Sequence, residues 1–210
     1  MNKLLIATNN HGKVIELQDL LKVTGIQLLT PVDIHLSLEV DEDGSTYAEN
    51  ASKKALTFAQ ASGLISLADD SGLEVDALDG APGLYSARYA PLRLPPFSGK
   101  MKEQEGGDAD RRAFLLQNLK YKPRPWKAHF HATIAIATPS GEVEFAEGNC
   151  FGEIIPAERG SGGFGYDPIF FLPELNKTMA ELDMEQKNRL SHRALAVMNA
   201  RPVLNKMFGL

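Results

Sequence analysis

Four apolar residues, Leu4 to Ala7, break off at Thr8-Asn9-Asn10, after which Val14, Leu17, Leu20 and Leu21 recur at helical spacing. A short buried strand over 3–7 and then a helix is the expected reading. Thr and Asn side chains accept hydrogen bonds from the free N–H groups of a first helical turn. Gly25 suits a helix stop, and Ile26 to Thr30 reads as a second strand. Thr46 with Glu49 three residues on has the capping-box pattern and opens a helix running to Ser62-Gly63. Leu64 to Ala68 is the next strand. It ends in Asp69-Asp70-Ser71-Gly72, residue types that make a turn, with Leu73 to Val75 resuming beyond it.

In the second half, Pro91 to Gly107 is rich in Pro, Gly and Lys without an apolar period and reads as a surface loop. Asp110 to Leu119 is amphipathic, with Phe114, Leu115 and Leu119 on the apolar side. From Trp126 the even positions (Ala128, Phe130, Ala132, Ile134, Ile136) are apolar, whereas Lys127, His129, His131 and Thr133 face the other way. That is a long strand with one wetter face. His129 and His131 share that face, where a polar strand surface explains them better than a shared metal. Pro139-Ser140-Gly141 turns the chain into a partner strand at Glu142 to Phe151, and Ile169 to Leu172 is a short buried run. Thr178 with Glu181 repeats the capping box, and Ser191 caps a last helix carrying Ala194, Leu195, Val197 and Met198. Without an internal repeat or a dividing linker, the 210 residues are expected to form one folding unit over 1–210.

Composition narrows the function classes. No stretch approaches the roughly 20 apolar residues of a membrane span. Leu4 to Ala7 is too short for a signal-peptide core, so a soluble, cytoplasmic protein is expected. One cysteine, Cys150, excludes an intramolecular disulfide and a cysteine-rich zinc site. A net charge of -5 argues against wrapping a long polyanion, so neither nucleic acid nor membrane is an expected partner. A small phosphorylated ligand needs only a few local cations and stays compatible.

Four stretches could carry chemistry. Thr8, Asn9, Asn10, His11, Gly12 and Lys13 combine a strand end, a polar loop, a lysine and a helix start, the parts of a phosphate cradle. They lack the glycine spacing and terminal Lys-Ser/Thr of a Walker A loop, so a P-loop NTPase has no support. Asp69-Asp70 is a pair of carboxylates able to hold a cation, or simply a turn. In Gly162-Gly163-Phe164-Gly165-Tyr166-Asp167-Pro168, an aromatic between glycines suits a backbone packed against a flat ring, and equally a tight turn with Phe164 in the core. Ser191-His192-Arg193 offers donors at an electropositive helix start, or a cap followed by two solvent-facing side chains. There is neither a Gly-x-Ser-x-Gly elbow nor a His-Glu-x-x-His, so serine-hydrolase and zinc-protease chemistry have no support.

Taken in order, six blocks resemble the inosine triphosphate pyrophosphatase family, the non-standard purine nucleoside triphosphate pyrophosphatases. They are Ala7-Thr8-Asn9-Asn10 with Lys13, Glu49-Asn50-Ala51 with Lys54-Ala55, Ala68 to Leu73, Gly80-Ala81-Pro82-Gly83 with Ser86-Ala87-Arg88-Tyr89, Gly162 to Phe171, and Lys187 with Ser191-His192-Arg193. The resemblance implies an α/β fold with an elongated mixed central β-sheet flanked by helices, and two lobes with a cleft between them. It also implies a homodimer and Mg²⁺-dependent hydrolysis, with Mn²⁺ as a substitute, of dITP, ITP and XTP to monophosphate and pyrophosphate, cleansing the nucleotide pool. By motif position it makes Asp70 the catalytic carboxylate with Ser71 beside the substrate. Thr8 to Lys13 would contact phosphate and sugar, and Lys54 phosphate. Glu42, from the acidic run Asp41-Glu42-Asp43, and Asp70 would be the metal ligands. Phe164, Gly165, Tyr166, Asp167, Lys187, His192 and Arg193 would line the base pocket. Relative to the family, Pro91 to Gly107 looks like an insertion.

Attack at an α-phosphorus needs an oriented water, neutralised charge on the leaving pyrophosphate and fixed geometry. Asp70 could serve the first as base or as metal-bound carboxylate, and both roles stay open. Two other readings also fit the residues: a pyrophosphatase for another base, and a nucleotide-binding regulatory module without turnover. The carboxylate cluster favours an enzyme, since a pure binder has less need of it.

Overall fold

In this computed structural model, residues 2–22, 25–90 and 107–210 are described. Among the described residues seven strands form one mixed sheet in the order β2-β1-β3-β4-β5-β6-β7. They are β1 (Lys3–Ile6), β2 (Gln27–Leu29), β3 (Ile65–Val75), β4 (Trp126–Ala137), β5 (Val143–Ile154), β6 (Phe170–Leu172) and β7 (Lys177–Thr178). The helices are α1 (His11–Leu21), α2 (Tyr47–Ser62), α3 (Asp108–Leu119), α4 (Met184–Leu190) and α5 (His192–Phe208). β1 pairs parallel with β2 and β3, whereas β6 pairs antiparallel with β5 and β7. The α/β class and the mixed sheet with flanking helices are thus as the sequence implied.

The caps read from sequence are in place. Asn10 accepts from the Lys13 amide at the start of α1, Thr46 from Glu49 at α2, and Ser191 from Ala194 at α5. Gly63 closes α2 in the left-handed conformation that favours glycine. Three expectations need correction. β3 runs straight through Asp69-Asp70-Ser71-Gly72, where a turn was expected, because partners from three helices hold an oxygen of each carboxylate inside the strand. The capping box at Thr178 and Glu181 closes only a three-residue 3-10 turn, Met179–Glu181. β5 extends to Ile154 because Glu153 and Ile154 find partners in Phe171 and Phe170 of β6. The loop expected over Pro91 to Gly107 lies, apart from Gly107, outside the described residues.

By internal contacts the chain divides into two compact units, one of Met1–Ser71, His131–Cys150 and Met184–Leu210, the other of Gly72–Phe130 and Phe151–Asp183. In the first unit the strands bury both faces, as parallel strands covered by helices do. Leu4, Ile6 and Leu67 join Leu17, Leu20 and Leu21 of α1 and Ala194, Val197 and Leu204 of α5. Leu5, Ala7 and Ala68 join Ala51, Ala55, Phe58 and Ala59 of α2 on the opposite face. Side chains alternate along a strand, so this division fixes where the residues after Ala68 point. Among the described residues no helix is long and apolar enough to cross a membrane.

Candidate active site

Asp69 has the parity of Leu67 and belongs to the α1/α5 face, whereas Asp70 has the parity of Ala68 and belongs to the α2 face. The contacts follow that rule. Asp69 Oδ2 lies 3.3 Å from Lys13 Nζ of α1 and 3.2 Å from Arg193 Nε of α5. Asp70 Oδ2 accepts from Asn50 Nδ2 of α2 at 3.1 Å, and its Oδ1 is 3.5 Å from Lys54 Nζ, four residues further along α2. Both aspartates are buried.

Their electrostatics differ accordingly. Burial alone would raise the Asp69 pKa, but Lys13, Arg193 and Lys54 outweigh it and hold this carboxylate well below the ordinary range. Burial wins at Asp70, with Glu42 adding to it against Lys54 and Lys13, so its pKa is raised. Asp69 is a fixed anion, and Asp70 is the more basic carboxylate.

The two lysines converge on one main-chain oxygen. The Asp69 carbonyl accepts from Lys54 Nζ at 2.8 Å and from Lys13 Nζ at 3.5 Å. Burial, and then the neighbouring Lys54 and Arg193 charges, lower the Lys13 pKa despite Asp69. At Lys54 burial is outweighed by Asp70, Asp69 and Glu42, and its pKa is raised. The Glu42 Oε1 is 2.6 Å from the same Lys54 ammonium, which with its neighbour Lys13 overcomes desolvation to lower the Glu42 pKa. Two cations from different helices, drawn to one carbonyl, form a place where an anion relieves their repulsion.

Beside this lies a second buried charge cluster. Glu16 of α1 ties Lys187 Nζ through Oε1 at 2.6 Å and Arg193 Nη1 through Oε2. Arg193 Nη2 donates to Ser71 Oγ at 3.1 Å, so one guanidinium joins Asp69, Glu16 and Ser71. Burial, reinforced by the Arg193 charge, drives the His192 pKa well below 6.5 and keeps the ring neutral near pH 7. It therefore carries one donor and one acceptor nitrogen.

Sequence reasoning passed over Glu16, because a search for helical periodicity counts apolar positions only. Its position three residues after Lys13 and directly before Leu17, on the buried stripe, was the available signal. Asn50 was noticed only as part of a motif, and its two hydrogen bonds, to Asp70 and from the Gly44 amide, could not be foreseen.

Thr8 to Lys13 form the β1–α1 junction. Thr8 Oγ1 accepts from the Asn10 amide, Asn9 Nδ2 donates to the Leu38 carbonyl, Asn10 caps α1, and His11 and Gly12 occupy its first turn. Phe164 to Asp167 belong to the other unit. There Asp167 Oδ2 accepts from the Phe164 amide, Tyr166 Oη donates to the Ser86 carbonyl, and α3 grips Gly165 at both ends, Asp108 taking its N–H and Arg112 its carbonyl. In the first unit, both His131 ring nitrogens are engaged, by Asn149 and Thr133. In the second, His129 faces Glu74 at 3.4 Å. The two histidines are accounted for as a polar strand face.

The Ham1 family description matches residues 4–203 of the chain. The chain belongs to the Ham1 family. A dITP/XTP pyrophosphatase of Desulforamulus reducens is 49% identical over 207 residues, covering 98% of this chain and 97% of the relative. One from Thermus thermophilus is 45% identical over 196 residues, 93% of this chain and 88% of the relative. The Ham1 protein structure from Staphylococcus aureus superposes with a TM-score of 0.81 at 36% identity, covering 98% of this chain and all of that one. A Coxiella burnetii HAM1 protein gives 0.83 at the same identity and coverage. The family resemblance drawn from the six blocks is borne out.

Among the described residues no group of three or more His, Cys, Asp or Glu gathers to hold a metal. The available donor set is the pair Glu42 and Asp70, and the structure already places a cation between them. The Lys54 ammonium sits 2.6 Å from Glu42 Oε1 and 3.5 Å from Asp70 Oδ1. Two carboxylates converging on one positive charge are hard oxygen donors of the kind Mg²⁺ and Mn²⁺ take, with water or substrate oxygens completing the set. The residues fit.

Proposed function

We propose that the chain hydrolyses non-standard purine nucleoside triphosphates (dITP, ITP and XTP) to the monophosphate and pyrophosphate, clearing them from the cytoplasmic nucleotide pool, and that it does so as a homodimer. The observation that carries this reading is the meeting of Lys13 and Lys54 on the Asp69 carbonyl, directly beside the basic Asp70 carboxylate. Near-full-length relatives named dITP/XTP pyrophosphatase support the substrate class.

Lys13 and Lys54 bind the phosphates and neutralise charge that builds on the leaving pyrophosphate. Asn50 holds Asp70 Oδ2, so Oδ1 is the oxygen that orients the attacking water. The water oxygen bonds to the α-phosphorus, the bond from that phosphorus to the bridging oxygen breaks, and pyrophosphate leaves with the electron pair. The proton of the water passes to Asp70 Oδ1. Mg²⁺, or Mn²⁺ in its place, would be held by Glu42 and Asp70 and supplies further charge neutralisation on the phosphate oxygens.

Base choice follows from the donor-only Lys187 and Arg193, with neutral His192 adding its one N–H. A 6-oxo purine accepts from such groups, whereas the 6-amino group of adenine opposes a donor to a donor and leaves buried groups unpaired. The test is product analysis. Hydrolysis of dITP should release pyrophosphate rather than orthophosphate, stop on addition of EDTA and resume with excess Mg²⁺ or Mn²⁺. Orthophosphate as the first product, or full activity in EDTA, would contradict the reading.

A further inference from the structure

Asn50 lies at the middle of the two segments that carry Glu42 and Asp70, and it touches both. Its side chain is 3% exposed. The Nδ2 group donates to Asp70 Oδ2 at 3.1 Å, and Oδ1 accepts from the Gly44 amide at 2.8 Å. The polarity allows one arrangement only, because the carboxylate must meet the donor end of the amide and the N–H must meet the acceptor end. Gly44 is held so closely that a Cβ there would lie 2.7 Å from Asn50 Oδ1 and 2.8 Å from the Glu49 Cβ. Gly44 is two residues from Glu42. The loop that carries one carboxylate is therefore pressed against the side chain that aims the other.

We propose that Asn50 is a positioning residue that sets the separation of Glu42 and Asp70, and with it the affinity for the divalent cation; this rests on the metal assignment of the proposed function. The two carboxylates come from different segments, a loop and a strand, so no shared backbone fixes their distance. The Asn50 amide is the link between them. Lys54 also reaches both carboxylates, but as a single flexible ammonium that a metal would displace or share. Partners that orient metal-binding carboxylates change metal affinity by about 10–100-fold when removed.

The experiment follows Mn²⁺ uptake by electron paramagnetic resonance, with an α,β-methylene analogue of inosine triphosphate that cannot be cleaved. Wild-type protein, Asn50→Ala and Gly44→Ala are compared, with thermal melting of each. Asn50→Ala removes the link, and Gly44→Ala pushes the loop off it while keeping the Asn50 side chain. Both variants should need roughly 10-fold more Mn²⁺ for half-saturation, and Gly44→Ala should do so while still melting cooperatively. Wild-type protein that takes up no Mn²⁺ overturns the metal assignment and this inference with it. Uptake unchanged in a folded Gly44→Ala or Asn50→Ala protein overturns the inference alone.

Discussion

Asp69 and Asp70 are neighbours in the chain, yet Asp69 Oδ2 lies 3.2 Å from Arg193 Nε of α5 while Asp70 Oδ2 lies 3.1 Å from Asn50 Nδ2 of α2. The two-residue repeat of a strand sends them to opposite faces, where one finds two cations and the other a neutral amide and a more distant ammonium. Asp69 is thereby held as a buried anion, whereas burial raises the pKa of Asp70.

Neutralising each should have opposite consequences. Asp69→Asn leaves Lys13 and Arg193 short of a buried counter-charge and should cost about 3 kcal/mol of stability. Asp70→Asn removes a carboxylate that burial already disfavours, so stability should hold or rise, while turnover falls by at least about 100-fold. Urea unfolding and kcat on the same preparations check both. Equal destabilisation by the two substitutions would mean that the division of roles is wrong.

Glu16 should prove as important to the fold as any apolar residue of α1. It holds Lys187 and Arg193 together, two like charges that would otherwise face each other in a buried place. A double-mutant cycle of Glu16→Gln with Lys187→Met should give a coupling energy of roughly 1–3 kcal/mol in urea unfolding. Additive effects would mean the pair contributes nothing beyond its separate contacts.

His192 makes stability depend on pH. Its pKa is held far below 6.5 by burial first and by Arg193 next, with Lys187 and Lys13 acting in the same direction and Asp69 against them. The unfolded chain takes up a proton near pH 6.5 and the folded chain does not, so this contribution is complete above that pH. It is lost as the pH falls from 6.5 toward the folded value. Between pH 6.5 and 5.5 the wild type should lose about 1 kcal/mol more than His192→Gln. Parallel stability curves for the two proteins would contradict a neutral buried ring.

Helix starts and the positions of the first three strands along the chain were legible because caps and apolar spacing are local. Thr46, Ser191 and Gly63 do in the fold what their types suggest in the chain. The region of Asp69 to Gly72 was misread because Asp, Ser and Gly favour turns. What overrides that tendency comes from Lys13, Asn50 and Arg193, up to 124 residues away in sequence. α4 went unnoticed for a related reason: Met-Glu-Gln-Lys-Asn-Arg-Leu has almost no apolar stripe, and its buried Lys187 is held by charge rather than by hydrophobic packing. The same charge pairing hid Glu16.

Substrate choice tests the account most directly. With one wild-type preparation in excess Mg²⁺, pyrophosphate release is measured for dITP, XTP, dATP and dGTP, and kcat/KM is compared. Values for dITP and XTP should exceed that for dATP by about one to two orders of magnitude, as donors facing a 6-oxo group require. Equal values for dITP and dATP would contradict it.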